Sequence, residues 1–366
     1  MNFIKRNPVM CIAFAAAMLS CLAVPPDMEY LGYFDLKTLT CLFCTLAVVC
    51  AFKDISFFRI IAGKIVSFFK TTRSAIIALV YITFLGSMLI ANDMALITFL
   101  PLGYYVITST NNKKYLAFTF IMQNIAANLG GMLTPFGNPQ NLYLYTYFNI
   151  SNIEFVKIMF MPFVISIVFI TACCMFVKND KLIIAEECDV ALDRKKALLY
   201  GVLFVLSIVI VFRVVPYWIG LIVITAILFV TDRHALREVD YPLLLTFCAF
   251  FVFSGNTARI PAVRDVLGAV IDNHTMLFGV LSCQVISNVP SAILLSHFTD
   301  NYQQLLVAVN IGGAGTLIAS LASLITFREY AKNEPKKIGS YIGKFSAYNF
   351  AILAVLIMSM GVVLGF

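Results

Sequence analysis

The chain has 366 residues, 61% of them hydrophobic and 12% charged, with a formal net charge of +7 and a mean hydropathy of +0.92. That leaves too little polar surface for a water-soluble domain of this length, and apolar runs of about 20 residues recur, the length that matches a bilayer core of about 30 Å. The composition therefore predicts an all-α polytopic membrane protein and excludes the soluble enzyme and nucleic-acid-binding classes.

The first predicted span is 8–24. Its opening, "MNFIKRNPVM", is read as the basic flank of a span rather than of a secretory signal, because more apolar chain follows instead of a soluble domain. A span at 36–52 is followed by an amphipathic surface helix at 53–70. Segment 74–109 is apolar but broken at 91–93, "AND", and predicts a re-entrant hairpin. Segment 116–150 predicts a broken helix, apolar over 116–142 yet carrying "NLGGMLTPFGNPQNLYL" at 128–144. Spans follow at 158–177, 197–212, 214–230 and 241–255, then a second surface helix at 256–271. A second hairpin, 275–298, is broken at 287–290, "SNVP". A second broken helix, 303–327, and a last span, 343–363, complete the chain. The second hairpin has about 12 residues before its break and about 10 after it. Each arm reaches about 15–20 Å at 1.5 Å per residue, too short to cross about 30 Å.

About nine spans and two hairpins, with the N-terminus in the cytoplasm, put 21 of the 26 Lys and Arg on the cytoplasmic side. Lys5, Arg6, Lys53, Arg59, Arg233 and Arg237 are among them. The acidic turn "PPDMEYLGYFD" falls outside. The cysteines sit almost wholly in apolar runs, without zinc spacing, and read as small buried residues. His234, His274 and His297 form no ligand cluster, and HExxH, GxSxG, P-loop and GxGxxG patterns do not occur.

The stretch "NLGGMLTPFGNPQNL" aligns without gaps on "NIGGAGTLIASLASL", at an offset of 182. Upstream, "AND" matches "SNV" and Asp35 matches Asp240. The chain thus divides into a first repeat, 1–177, a cytoplasmic linker and connecting span, 178–213, and a second repeat, 214–366. The single extra span inverts the second repeat in the membrane. Inverted repeats with interrupted helices characterise secondary transporters that alternate access around a midplane site.

An interrupted helix frees carbonyls at one half-helix end, which suit a cation, and N–H groups at the other, which suit an anion. Gly130, Gly131 and Pro135 permit the first break. Thr134, Asn138 and Asn141, with Gln140, are predicted to satisfy freed groups or reach a ligand. Gly312, Gly313, Gly315, Thr316, Ser320 and Ser323 occupy the second break, which lacks proline and is expected to be milder. Asn92 and Asn288 sit at the hairpin tips, placed both to cap the following arm and to touch a ligand. The expected substrate-binding set is Asn92, Thr134, Asn138, Asn141, Asn288, Thr316 and Ser320. The expected cation-binding or coupling set is Asn92, Asp93, Gly137, Asn288 and Gly313. Asp93 is the one carboxylate in the central apolar parts, where a charge is costly and functional by default. Three roles are open to it: Na⁺ ligand, proton carrier, or cap of the arm after the tip.

At "LIANDMALITFLPL", "GGMLTPFGNPQNLYLY", "VISNVPSAILL" and "NIGGAGTLIASLASL" the chain resembles the ion transporter superfamily over nearly its whole length. The likeness is nearest to its citrate-transporter-like and arsenical-pump-like members and to the divalent anion/sodium symporters. The resemblance implies two hairpins and two unwound helices holding substrate and cation, a homodimer, and an elevator-like motion against a scaffold. The symporters' Ser-Asn-Thr tip falls on Ala91, Asn92 and Asp93 and on Ser287, Asn288 and Val289, so only the Asn is kept in both. The Asn-Asp form looks more like the arsenical-pump and proton-antiporter branches.

These readings lead to a cation-coupled secondary transporter of a small anion, citrate-like or dicarboxylate, in the cell membrane. Na⁺ or H⁺ is the coupling ion, and no cofactor, enzymatic activity or nucleic-acid partner is expected. The alternatives are arsenite or metalloid efflux, Na⁺/H⁺ exchange and, in another class, a passive channel.

Overall fold

The computed structural model describes residues 7–110, 112–181 and 192–364. Lys5, Arg6 and the middle of the expected linker, 182–191, lie outside the described residues. Among the described residues the chain is helical throughout, with one isolated bridge between Thr71 and Lys181.

Helix α1 (Pro8–Ala23) leads through a 3-10 turn (Met28–Tyr33) to α2 (Leu36–Asp54) and the amphipathic α3 (Phe57–Ser67). The first hairpin is α4 (Thr72–Ile90) and α5 (Asn92–Ser109). The first interrupted helix is α6 (Leu116–Gly130) and α7 (Pro139–Tyr147), and α8 (Asn152–Met175) follows. Past α9 (Arg194–Val211) come α10 (Tyr217–Thr231), the short α11 (Arg233–Arg237), α12 (Tyr241–Arg259) and the amphipathic α13 (Pro261–Asn273). The second hairpin is α14 (Thr275–Ile286) and α15 (Asn288–Leu295). The second interrupted helix is α16 (Tyr302–Ile311) and α17 (Leu321–Asn333), and α18 (Ile338–Leu364) ends the fold.

Side-chain caps set many of these starts. Asp35 accepts the Thr38 N–H and Asp240 the Leu243 N–H, each at 3.0 Å, so the aligned aspartates begin two helices of 19 residues each. Thr71 and Ser74 form a reciprocal capping box at the start of α4.

By length and apolarity five stretches can cross a membrane: Leu36–Asp54, Thr72–Ile90, Lys113–Leu133, Asn152–Met175 and Pro335–Val363. A sixth is added if Arg233–Arg259 and the bent Pro261–Gly268 are taken as one. This is a multi-pass membrane fold. The other expected spans fall on shorter helices, such as α1 with 16 residues and α10 with 15. The hairpins are unequal. The arms of the second have 12 and 8 residues, as its short apolar runs require. The arms of the first have 19 and 18 and reach about 27–28 Å. The expected brevity therefore holds for the second hairpin only, because the apolar run of 74–109 continues through both of its arms.

Packing follows a crosswise scheme. Helix α1 packs on α12 and α10 on α2; α5 packs on α17 and α15 on α7. Within each half the first hairpin arm lies against the first part of the interrupted helix, α4 on α6 and α14 on α16. Helix α6 is apolar on most faces and buried along its length, which makes it the centre of the core, whereas α8 and α18 carry exposed apolar side chains such as Phe160, Val168 and Met358. Two ion pairs pin the ends. Arg259 holds Asp27 at 2.6 and 3.1 Å and Glu29 at 3.2 Å, and its guanidinium keeps the Asp27 carboxyl below its ordinary range. At the opposite end of α2, Asp54 meets His234 at 2.8 Å.

Candidate functional site

The hairpin tips turn through a single residue each. Ala91 holds φ 66° and ψ 154°, and Ser287 holds φ 75° and ψ 159°. That is a region normally left to glycine, and its occupation by two side-chain-bearing residues at matching places marks stored strain of about 1–3 kcal/mol at each tip.

The next residue in each case is the asparagine shared by the two tips, Asn92 or Asn288, both buried. Asn92 Oδ1 accepts the Asp93 N–H at 3.0 Å, and Asn288 Oδ1 accepts the Val289 N–H at 2.9 Å. One free N–H of each following arm is thereby satisfied. The amide nitrogen of Asn92 donates inward to Asn128 Oδ1 at 3.3 Å. The Asn288 N–H donates to the carbonyl of Ala319, in the second break, at 3.0 Å.

The breaks are tied to the hairpins in the same way in both halves. Thr134 Oγ donates to the Met88 carbonyl at 3.0 Å, and Thr316 Oγ to the Gln284 carbonyl at 3.1 Å. Met88 and Gln284 each stand three residues before their tip. Both expected substrate threonines thus spend their hydroxyl protons on backbone. The second break is not the milder one: residues 312–320 hold no helical turn, whereas the first break keeps a 3-10 turn at Gly131–Leu133. Gly315 explains the difference, with φ at +124°, and the Gln284 amide holds the freed carbonyls of Gly312 and Ala314 at 2.8 and 3.2 Å. In the first break Asn141 does this work, donating to the carbonyls of Gly131, Met132 and Thr134 at 3.2–3.3 Å.

The two breaks meet in one amide network. Asn138 Nδ2 donates to Asn310 Oδ1 at 3.3 Å, and Ser320 Oγ donates to Asn128 Oδ1 at 2.7 Å. Asn310 in turn donates to Asn141 Oδ1 at 2.5 Å. Asn138 and Ser320 are the residues before α7 and α17, and Asn92 and Asn288 open α5 and α15. Four helix N-termini therefore converge on buried amides. Gly313 lies beside this group; a carbon added there would stand 3.2 Å from Asn288 Nδ2. Gly137 packs against the Gly131 carbonyl within the first break.

Three of the central amides keep a buried atom without a hydrogen-bond partner: Asn128 Nδ2, Asn138 Oδ1 and Gln140 Oε1. Asp93 Oδ1 is in the same condition, and the side-chain bond at the start of α5 comes from Asn92. Such groups are costly to bury unmatched and suit a bound ion, water or substrate. Asp93 lines a cavity of about 60 Å³ with Thr45, Phe136, Pro139 and Asp240, room for a few waters. Among the described residues no Lys or Arg lines it.

Sequence reasoning placed Asn92, Asn138, Asn141, Asn288, Ser320 and Gly313 where the structure brings them together. It left out Asn128 and Asn310, although they open the two aligned stretches, and Gln284, which stands three residues before Ser287 in the run "VLSCQVISNV". The pair Asn124 and Thr326, joined at 3.3 Å, lies deeper in the same interface.

The citrate transporter family profile matches residues 3–305. The chain belongs to the citrate transporter family. It is also 34% identical over 327 residues to the uncharacterized transporter MJ0456 of Methanocaldococcus jannaschii, covering 89% of each chain. It is 30% identical over 283 residues to the inner membrane protein YbiR of Escherichia coli, covering 74% of each. In this membrane transporter the polar centre is buried inside the bundle, whereas α8 and α18 carry exposed apolar side chains.

Proposed function

We propose that the protein is a cation-coupled secondary active transporter of a small anion, citrate-like or dicarboxylate, working by elevator-like alternating access. The observation that carries this reading is the convergence of four helix N-termini on buried amides, to which no Lys or Arg among the described residues is hydrogen-bonded. Each positive helix end favours a nearby negative charge by about 0.3–2 kcal/mol. Carboxylates held this way need a partner cation, and Asp93, with an unmatched carboxylate oxygen, is the group to take Na⁺ or a proton.

The crosswise packing of α1 on α12 and α10 on α2 supports two inverted halves, as do the matching threonine bonds. The hairpins and interrupted helices form the moving unit, and α2 and α12 belong to the static one. With the N-terminus in the cytoplasm, the first hairpin enters from inside and the second from outside. The cavity of about 60 Å³ at Asp93 is lined by none of the central amides, so it must widen toward them before a tricarboxylate fits, which calls for hairpin movement. Homodimerisation through the static unit is part of the reading.

The experiment is uptake into proteoliposomes. A panel of citrate, succinate, sulfate and arsenite is offered under imposed Na⁺ or H⁺ gradients. Gradient-driven accumulation of a carboxylate is the expected result; accumulation of none sinks it. The Asn92-Asp93 tip and the neutral centre favour one second reading, metalloid efflux or Na⁺/H⁺ exchange, which the arsenite and ion-only arms would reveal.

A further inference from the structure

Asp35 and Asp240 hold aligned places, each as the cap of a 19-residue helix, but their carboxylates are used differently. Asp35 gives both oxygens to Thr38: Oδ1 accepts the backbone N–H at 3.0 Å and Oδ2 the hydroxyl at 2.5 Å. Three residues after Asp240 stands Leu243 in place of the threonine. Its N–H reaches Asp240 Oδ1 at 3.0 Å. It has no hydroxyl to donate, so Asp240 Oδ2 lacks the bond that closes off Asp35. One substitution between the two halves thus leaves a carboxylate oxygen open in the second half that is tied down in the first.

Asp240 and Leu243 both line the cavity of about 60 Å³ at Asp93. On the other wall Asp93 Oδ1 is buried without a hydrogen-bond partner. Among the described residues Asp93 and Asp240 are the charged side chains of this lining, and all the rest of it is apolar except Thr45. Two carboxylates on one small apolar space repel each other unless a cation stands between them. Carboxylate oxygen and water are the ligands a hard cation takes, and the space has room for one ion with a water or two. The two groups also differ in setting. Asp240 is exposed at the start of α12, whereas Asp93 follows the tip of the first hairpin. At the second tip the matching residue is Val289, so the other half has no such pair.

We infer that Asp240 and Asp93 together form a Na⁺ site that is complete only while the first hairpin stands at the cytoplasmic end of α12. The inference rests on the transport reading above, for the moving hairpin and for the cytoplasmic placement of Asp240. Na⁺ enters past the exposed Asp240 and is held by both carboxylates. It leaves with Asp93 when the hairpin moves away from the static α12. At the outer face Asp35 is closed off by Thr38, so Na⁺ binds more tightly from the cytoplasm than from outside.

The wild type, Asp240→Asn, Leu243→Thr and Asp93→Asn are purified in detergent, and Na⁺ replaces choline at constant ionic strength while thermal unfolding is followed. Asparagine keeps the helix cap and removes the charge, and threonine supplies the hydroxyl that Asp35 meets in Thr38. Na⁺ should stabilise the wild type. The concentration for half the effect should rise about five- to tenfold in Asp240→Asn and about two- to fivefold in Leu243→Thr, and the effect should vanish in Asp93→Asn. In proteoliposomes the Na⁺ dependence of uptake of citrate, or of whichever panel anion the wild type moves, should shift by the same factors from the cytoplasmic face. From the outer face it should shift less than about twofold. No stabilisation of the wild type by Na⁺, an unchanged half-effect concentration in Asp240→Asn, or equal shifts at both faces would overturn the site. Stabilisation as expected, with no anion moved, would instead fell the transport reading and leave the Na⁺ site standing.

Discussion

Asn138 and Asn310 are joined by a 3.3 Å hydrogen bond although 172 positions separate them. The aligned positions in the other halves, Ser320 and Asn128, are joined in turn at 2.7 Å. Each half therefore supplies one asparagine from before its break and one polar side chain from after it, and each asparagine is held by the opposite half. Removing one partner leaves a buried amide unmatched, at about 1–3 kcal/mol. Asn138→Ala and Asn310→Ala should each lower stability by that amount in detergent unfolding titrations. The double variant should lose less than the sum by about 1 kcal/mol; strict additivity would mean the bond contributes nothing.

The tip asparagines face a different test. Asn92→Ala and Asn288→Ala should each reduce gradient-driven uptake more than about tenfold while expression and monodispersity stay normal, a loss of roughly 1.4 kcal/mol or more in ligand contact. Near-normal transport by both variants would remove the tips from the site.

Asp93 distinguishes the coupling ions. Asp93→Asn keeps the size of the side chain and removes its charge. Uptake driven by a pH gradient should be lost, and the remaining transport should respond weakly to that gradient. Unchanged proton coupling in the variant would exclude Asp93 as the carrier and leave it as a Na⁺ ligand.

Close packing at the first break predicts a strong effect from one methyl group. A carbon added at Gly130 would lie 2.2 Å from the Phe84 carbonyl oxygen, a backbone atom that cannot swing aside. Gly130→Ala should therefore cost about 1–3 kcal/mol in unfolding measurements and push α6 from α4. Gly268→Ala, where nothing lies within 4 Å, should be neutral or slightly stabilising. Equal behaviour of the two variants would contradict the packing.

The His234–Asp54 contact gives a pH dependence. Hydrogen bonding to Asp54, and then its charge, raise the His234 pKa above 6.5. The imidazolium is thus favoured in the folded protein. Its contribution to stability is fully present below about 6.5, the unfolded value, and is lost as pH rises through the raised folded value. Wild type should melt above His234→Gln at pH about 5.5, and the two should coincide at about pH 9. A gap that persists at the higher pH would rule out the charged pair as its source.

Much of this arrangement was legible in the residues. The breaks at 91–93 and 287–290 were readable because polar residues interrupt apolar runs; Asp35 and Asp240 were matched in the alignment, but their role as helix caps shows only in the structure. The two asparagine-glycine stretches announced themselves by their gapless alignment. Three features were not readable. The arms of the segment 72–109 have 19 and 18 residues, and the first is long and apolar enough to cross a membrane, which the break at 91–93 hides. The depth of the second break depends on the positive φ of Gly315 and on Gln284 reaching across from another helix, neither of which composition reports. The hydroxyls of Thr134 and Thr316 looked free for a ligand because their backbone acceptors, on Met88 and Gln284, come close only in three dimensions.

Side-chain amides neither ionise across the physiological range nor gather a salt atmosphere. The clasp made by Asn128, Asn138, Asn141 and Asn310 should hold with equal strength in dilute and concentrated buffer, and in mild acid as in mild base. Whatever sensitivity the carrier has to its surroundings must then enter through the few charged groups around that clasp, leaving the seam between its two halves unaltered.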